Sequence, residues 1–391
     1  MFQRLCVFLL AAMSVFAIPL WAQQPCPSFS IAVNSDEDTL MLAVNGADNP
    51  KDQVAALDKY AQSHANSKFI PCVNEYTATA DLKLKDYDNS IAYGEKDIAL
   101  NYQDLNLLLT LMRAYAASTK VSDTIFAVIN KVPDQATAET GKPTRPTKAS
   151  DEEWVKIQQD AQELAKDSHD YAVWAFFQVL PRVTDPAKRI QVLDDFLKTY
   201  PDVGTSNATG VNTAYFQAYQ MQGNLDKTVE YGDKVLATDP NNVVVLNTMG
   251  LINAFYLPHP SPDKGATYAQ KALTAVQDRK KHDGVDDAAF AKDQATQQGM
   301  AHLTLGYAAL VKGQKTMKLA PAISELKQAS TLLTDNPALQ GQAYYFLGNA
   351  YEMGVPNHRA ALDALTKAQS LPGPMQGQAT ALLAKVKAAT H

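Results

Sequence analysis

The motifs that usually mark enzyme chemistry are missing from this chain. It has no glycine-rich phosphate loop, no His-Glu-x-x-His and no Gly-x-Ser-x-Gly, so these signatures of phosphate binding, zinc hydrolysis and nucleophilic serine are absent. Its 7 histidines include no pair at helical ligand spacing, and a single histidine becomes a metal site only with partners. His302 reads as a packing residue. Asp86-Tyr87-Asp88-Asn89 begins like a calcium loop. However, Ile91 stands where such a loop needs glycine, and Asp97 where it needs glutamate; a turn explains the segment better. No catalytic, cofactor-binding or metal residue is therefore assigned, and the chain reads as non-enzymatic.

Positive charge is also scarce. There are 35 Lys and Arg against 41 Asp and Glu, a net charge of −6. No basic patch interleaves with aromatics, which argues against nucleic acid as a partner. Beyond residue 22 no apolar run is long enough to span a bilayer. Cysteine is rare, at 3. Cys26 and Cys72 either pair in an oxidising compartment or remain as one thiol near the terminus and one half-buried thiol.

The apolar run Leu5 to Ile18 follows Arg4 and is broken by Pro19. With Leu20-Trp21-Ala22 as the cleavage stretch, residues 1–22 read as a signal peptide. An uncleaved anchor is the alternative, because Leu20 is not an ideal residue there. Gln23, Gln24 and Pro25 before Cys26 do not form a lipoprotein-type approach. Export to a periplasmic or secreted location is expected.

The rest of the chain is helix-forming sequence, with few alternating β-branched runs. Apolar faces at helical spacing run through Leu105, Leu108, Leu109, Met112 and Tyr115, through Ile323, Leu326, Ala329 and Leu333, and through Leu382, Leu383 and Val386. Pro133 to Ser150 has three prolines, many threonines and no large apolar residue. It reads as a flexible insert, 133–150, that separates helical regions 23–132 and 151–373. Ser150 then makes a natural N-cap before Asp151-Glu152-Glu153. Leu257 to Lys264 reads as a lengthened turn, and residues 374–391 as a single terminal helix that covers the last apolar face.

One stretch occurs twice without gaps. Tyr87 to Tyr102 aligns with Leu225 to Pro240, sharing Tyr-Gly-acid-Lys at Tyr93-Gly94-Glu95-Lys96 and Tyr231-Gly232-Asp233-Lys234. The copies lie 138 residues apart (225 minus 87), close to four units of about 34 residues, a period of stacked helical hairpins. Asn212 to Pro240 carries the fullest pattern: Tyr215 and Tyr219 on a first helix, Gly223 in a turn, Thr228 on a second helix and Pro240 after it. Leu246, Met249 and Gly250 begin the next unit, and Leu305-Gly306 and Leu347-Gly348 recur in two more. Phe196 to Pro201 has a similar second-helix ending, with Ala56 to Tyr60 as a worn copy.

On these residues the chain resembles the tetratricopeptide repeat (TPR) family of exported bacterial type. The resemblance implies an all-α fold: an α-solenoid of stacked antiparallel helical hairpins forming a right-handed superhelix. A non-repeating helical bundle is the alternative. The resemblance also implies a concave groove lined by first helices, here Tyr76, Thr79, Arg113, Gln217, Gln220, Asn247, Tyr345, Asn349 and Glu352. These residues are otherwise solvated or packed on the adjacent hairpin. The family's carboxylate clamp does not fit, because Tyr345 replaces the needed lysine and Leu251 the needed asparagine.

The function implied is an extracytoplasmic scaffold for a protein or peptide partner, in envelope assembly or secretion. A helical solute- or glycan-binding protein is the alternative, with Trp154 and Trp174 as its first aromatics. Trp174 itself, among Tyr171, Val173, Phe176 and Phe177, reads as core.

Overall fold

The computed structural model describes residues 34–389, apart from residue 68 and residues 101–103, 142–144, 147–148, 282–283 and 354–356. The described residues form eighteen α-helices and no strand. The leader 1–22 and Cys26 lie outside them. The chain divides into two compact units that meet at Arg182 and Val183.

The first unit contains α1 (Asp36–Asn45), α2 (Pro50–Ser63), α3 (Ile70–Leu84), α4 (Tyr87–Ala99), α5 (Leu105–Ala117), α6 (Asp123–Gly141) and α7 (Asp151–Val179). Side-chain caps start several of them. Asn49, Asp86, Asp104 and Ser150 each accept a backbone N–H of the first turn, satisfying donors that the helix leaves free. Ser150 and Glu153 form a reciprocal capping box. Arg182, in the short 3-10 turn after α7, closes α5 from its other end. Its guanidinium donates to the carbonyls of Tyr115 (2.8 Å), Ala116 (2.8 Å) and Ser118 (2.7 Å). A cation there also suits the negative end of the helix dipole.

Two expectations for this unit change. Helix α6 runs through Pro133 to Gly141, so the first part of the 133–150 segment is ordered helix. Proline removes one backbone donor, yet the extension is tied down. Glu139 accepts the backbone N–H of Leu105 at 2.9 Å and the Gln135 amide at 2.8 Å, placing a carboxylate at the positive end of α5. The boundary between compact units accordingly falls at Arg182 and not in that segment. Trp174, expected in the core, is 49 % exposed. Helix α7 buries Ser168, Ala172, Ala175, Phe176 and Val179, and Trp174 projects from the opposite side of that stripe.

The second unit contains α8 (Pro186–Thr199), α9 (Val203–Ser206), α10 (Ala208–Gln222), α11 (Leu225–Thr238), α12 (Val243–Leu251), α13 (Pro262–Gln277), α14 (Asp287–Thr316), α15 (Ala320–Leu332), α16 (Pro337–Met353), α17 (His358–Ser370) and α18 (Gln376–Ala389). A π turn, Ile252–Tyr256, extends α12. Strong packing runs mainly between chain neighbours, and two steps along the chain between alternate helices: α3, α5 and α7 in the first unit, and α8 with α10 and α12, α14, α16 and α18 in the second. In the second unit α14 packs on both α12 and α16, passing over α13 and α15. The terminal helix α18 buries Ala379, Leu383 and Val386 against α17, as the amphipathic pattern implies.

The duplicated stretch forms α4 and α11, and its residues make matching contacts in both. Lys85 and Gly223 both take left-handed backbone (φ 62° and 73°) just before these helices; Lys85 does so without glycine's steric freedom. Ser90 and Thr228 are fully buried. Gly94 and Gly232 each admit a large side chain from the following helix: an added Cβ would lie 2.6 Å from Leu111 Cδ2 and 2.5 Å from Met249 Sδ. Lys96 and Lys234 lie over the rings of Tyr93 and Tyr231 at 4.0 and 4.1 Å, within cation–π range. The shared acid accepts a tyrosine hydroxyl from a later helix, Tyr115 to Glu95 and Tyr268 to Asp233. Burial, reinforced by the carboxylate, pushes both hydroxyls up to about 12. One further contact recurs at the same spacing, since Tyr93 donates to Asp58 35 residues back and Tyr268 to Asp233 35 residues back.

Close approach repeats elsewhere in the second unit. A Cβ on Gly306 would lie 2.6 Å from Leu326 Cγ, and one on Gly348 2.6 Å from Leu365 Cγ. Gly377 of α18 has open space instead. Gly306→Ala is therefore expected to lower unfolding free energy by about 1–2 kcal/mol through overpacking, despite gaining helix propensity. Gly377→Ala, with propensity alone at stake, is expected to raise it by up to about 1 kcal/mol. Urea titration of both variants, followed by far-UV circular dichroism, checks the opposite signs.

Candidate functional site

The residues expected to line a groove fall into three groups. Arg113, Gln217 and Gln220 are exposed on α5 and α10. The Arg113 guanidinium lies 5.7 Å from the Tyr171 ring centre. Tyr76, Thr79, Tyr345, Asn349 and Glu352 are half-buried. Tyr76 packs on the Leu40, Leu57 and Phe69 cluster, Thr79 meets Thr110 at 3.5 Å, and Glu352 holds the His358 ring at 3.0 Å. Asn247 is not on an open surface. It is buried between α12 and α14, donating to the Gln297 backbone carbonyl and side-chain oxygen, both at 2.9 Å. Helix α14 sits directly on α12, so this first-helix position becomes an interhelical contact.

What α12, α14 and α16 bring together instead is a set of aromatic rings. Phe255 of the π turn lies 4.3 Å from Tyr307 of α14 and 5.6 Å from Phe346 of α16 between ring centres. Tyr307 and Phe346 are 4.8 Å apart, and Tyr345 is 5.3 Å from Phe346. Such spacings are favourable for ring pairs. Phe346 is buried, Phe255, Tyr307 and Tyr345 are half-buried over the core, and Tyr256 is 45 % exposed. Gln342, four residues before Phe346 on α16, is fully buried and hydrogen-bonds the Tyr256 hydroxyl. Burial raises the Tyr256 hydroxyl above its ordinary pKa, while the adjacent Gln342 carboxamide pulls it down.

Of this set only Tyr345 was a residue the sequence pointed to. Tyr307 and Phe346 adjoin Leu305-Gly306 and Leu347-Gly348, which were legible only as packing positions. The π turn that re-aims Phe255 and Tyr256 has no sequence signature; such bulges occur often at functional sites.

Trp154 and Trp174 do not share a pocket. They lie 20 residues apart on the continuous helix α7, about 30 Å along its axis. His302 pairs with Glu325 at 2.6 Å and is partly buried. Among the described residues no group of three or more His, Cys, Asp or Glu could hold a metal ion. None of their helices is long and apolar enough to cross a membrane. Cys72 is buried beside Leu57 and Phe69 and is disulfide-bonded; Cys26, its expected partner, is outside the described residues.

Buried acids form a second polar feature, in the first unit. Asp97 of α4 is fully buried and accepts the Asn74 amide at 2.7 Å, leaving Oδ2 unpartnered. Burial, which outweighs the Asn74 bond, pushes its pKa up to about 7, and nearby Asp104 adds to the push. Asp81 of α3 is also buried with Oδ2 unpartnered. Burial, then Asp86 and Asp58, push it up to about 6.

No protein-family model matches the chain, and none of the curated proteins matches it.

Both carboxyls hold their protons more tightly in the fold than in an unfolded chain. Their contribution is complete below about pH 4, the ordinary carboxylate range, and is lost as pH rises through about 6 and about 7. Asp97→Asn removes the larger of the two effects. The variant is expected to gain in melting temperature relative to the unaltered protein, with a larger gain at pH 8 than at pH 5. Calorimetry at the two pH values checks this; an equal gain at both would exclude Asp97 as a titrating group in that range.

Proposed function

We propose that this protein is a non-enzymatic, exported scaffold of the tetratricopeptide type, holding a protein or peptide partner outside the cytoplasm. The observation that carries the reading is the duplicated Tyr-Gly-acid-Lys element. Two copies in different parts of the chain make the same glycine contact and the same lysine–tyrosine contact, and in each the shared acid accepts a tyrosine hydroxyl, from the next helix in one copy and from two helices on in the other. Units that repeat their contacts and pack only on near neighbours build extended surfaces, which suit partner recognition better than one enclosed site. In this reading the helix pairs stack as a right-handed solenoid, and α12, α14 and α16 are first helices facing the partner. Export accords with the apolar leader and with the disulfide at Cys72, a bond that persists in oxidising compartments. Envelope assembly or secretion is the process proposed.

Affinity capture from the native envelope fraction, with the chain from Gln23 to His391 as bait, tests this. A protein identified by mass spectrometry should rebind the purified bait. It should rebind at least about tenfold more weakly when Arg113, Gln217 and Gln220, all exposed, are changed together to Ala, a loss of about 1.4 kcal/mol. Rebinding that ignores the triple change would remove those residues from the partner surface.

A further inference from the structure

We propose that Arg113, Tyr171 and Trp174 form a docking patch on the first unit for a partner segment in which a glutamate or aspartate stands between apolar side chains. The Arg113 guanidinium would take the carboxylate, and the two rings would take an apolar neighbour. The inference rests on the scaffold reading and names the chemistry of what that scaffold holds.

The three side chains are contiguous on two helices, α5 and α7, that pack directly on each other. The guanidinium stands 5.7 Å from the Tyr171 ring centre, and that ring is tilted on Trp174 with centres 5.1 Å apart. Tyr171 and Trp174 are three residues apart on α7 and so lie on one face. Arg113 is exposed, Tyr171 is half-buried and Trp174 is 49 % exposed. A partner can reach them without any rearrangement of the fold.

Arg113 is held in place but has no counterion. Among the described residues no carboxylate pairs with it. Arg145 and Arg182 of the same unit are both engaged, the one with Asp151 at 2.6 Å and the other with the carbonyls that end α5. Asp170, next to Tyr171 in the chain, is taken by Lys166 at 2.6 Å. A planar guanidinium meets a carboxylate through two parallel N–H···O bonds. In open water such a pair is worth little. Beside rings that exclude water it is worth more, and tryptophan, tyrosine and arginine are the residues that dominate interface energies. Covering the Trp174 indole with an apolar side chain removes its exposed area from water, a gain in proportion to that area.

Charge favours a peptide over a polyanion. Helix α5 carries no cation besides Arg113, and the chain has a net charge of −6. A nucleic acid repeats its charge at short spacing, as an acidic polysaccharide does. Either would set one guanidinium against a field of its own sign. A peptide brings one carboxylate with apolar neighbours.

Fluorescence anisotropy on the full-length protein tests the proposal with a labelled Ser-Phe-Glu-Phe-Ser peptide. The same peptide with Gln for Glu is the control, and a polygalacturonate hexamer is the competitor. The glutamyl peptide should bind at least about tenfold tighter than the glutaminyl one, equivalent to about 1.4 kcal/mol, and the hexamer should not displace it. Arg113→Gln should abolish the preference, and Arg113→Lys should restore only part of it, because an ammonium lacks the fork. Trp174→Ala should weaken both peptides about tenfold. Both side chains are exposed, so these variants should keep the melting temperature of the unaltered protein. Equal affinity for the two peptides, no binding of either, or a preference that survives Arg113→Gln overturns the proposal. So does unchanged affinity in Trp174→Ala. Displacement by the hexamer would overturn it as well and give the patch to an anionic glycan. A captured envelope partner that rebinds Arg113→Gln as tightly as the unaltered protein would sink this patch and leave the scaffold standing. A peptide response with no envelope partner would keep the patch and remove the scaffold.

Discussion

How near one helix can come to the next governs this structure. At Gly94, Gly232, Gly306 and Gly348 the absent Cβ is replaced by the side chain of another helix: Leu111, Met249, Leu326 and Leu365 respectively. Each glycine sacrifices intrinsic helix stability, and the contact that fills its place returns dispersion energy and buried apolar area. The tyrosine–acid bonds and the aromatic face lie between helices whose separation these glycines permit. With a larger residue at any of the four, the adjoining helices would have to shift, and the polar contacts between them would go out of register.

The same arrangement bears on where a partner could be held. Packing that stops at the second neighbour gives each surface position a local origin, so the aromatic face depends on α12, α14 and α16 and not on the buried acids of the first unit. Asp97 and Asp81 tune the first unit, while Gln342 and its rings belong wholly to the second.

Much of the helical content was legible in the sequence, because it rests on short-range rules. The apolar stripe through Leu105, Leu108, Leu109, Met112 and Tyr115 is buried throughout, and Ser150 caps α7 as its side chain permits. What could not be read depends on contacts between distant residues. Pro133 and the threonines after it look like a helix breaker and a linker; the docking of Glu139 on Leu105, far away in sequence, ties α6 down beyond them. Trp174 has apolar neighbours in sequence, but its phase on α7 sends it outward. Asn247 has the right periodicity for an open groove and is covered by Gln297, fifty residues on. The aromatic face was illegible for a similar reason: its rings come from three separated helices, one of them re-aimed by a π turn.

Arg182 is the last residue of the first compact unit, and it is also the cap of α5. The seam between the units is therefore not freely movable along the chain. A fragment ending one residue earlier, at Pro181, would keep all seven helices of the first unit and lose the cation that closes the fifth, exposing its last carbonyls to solvent competition. A recombinant dissection of this protein, or a natural rearrangement that shuffles its halves, would have to carry the arginine with the N-terminal half.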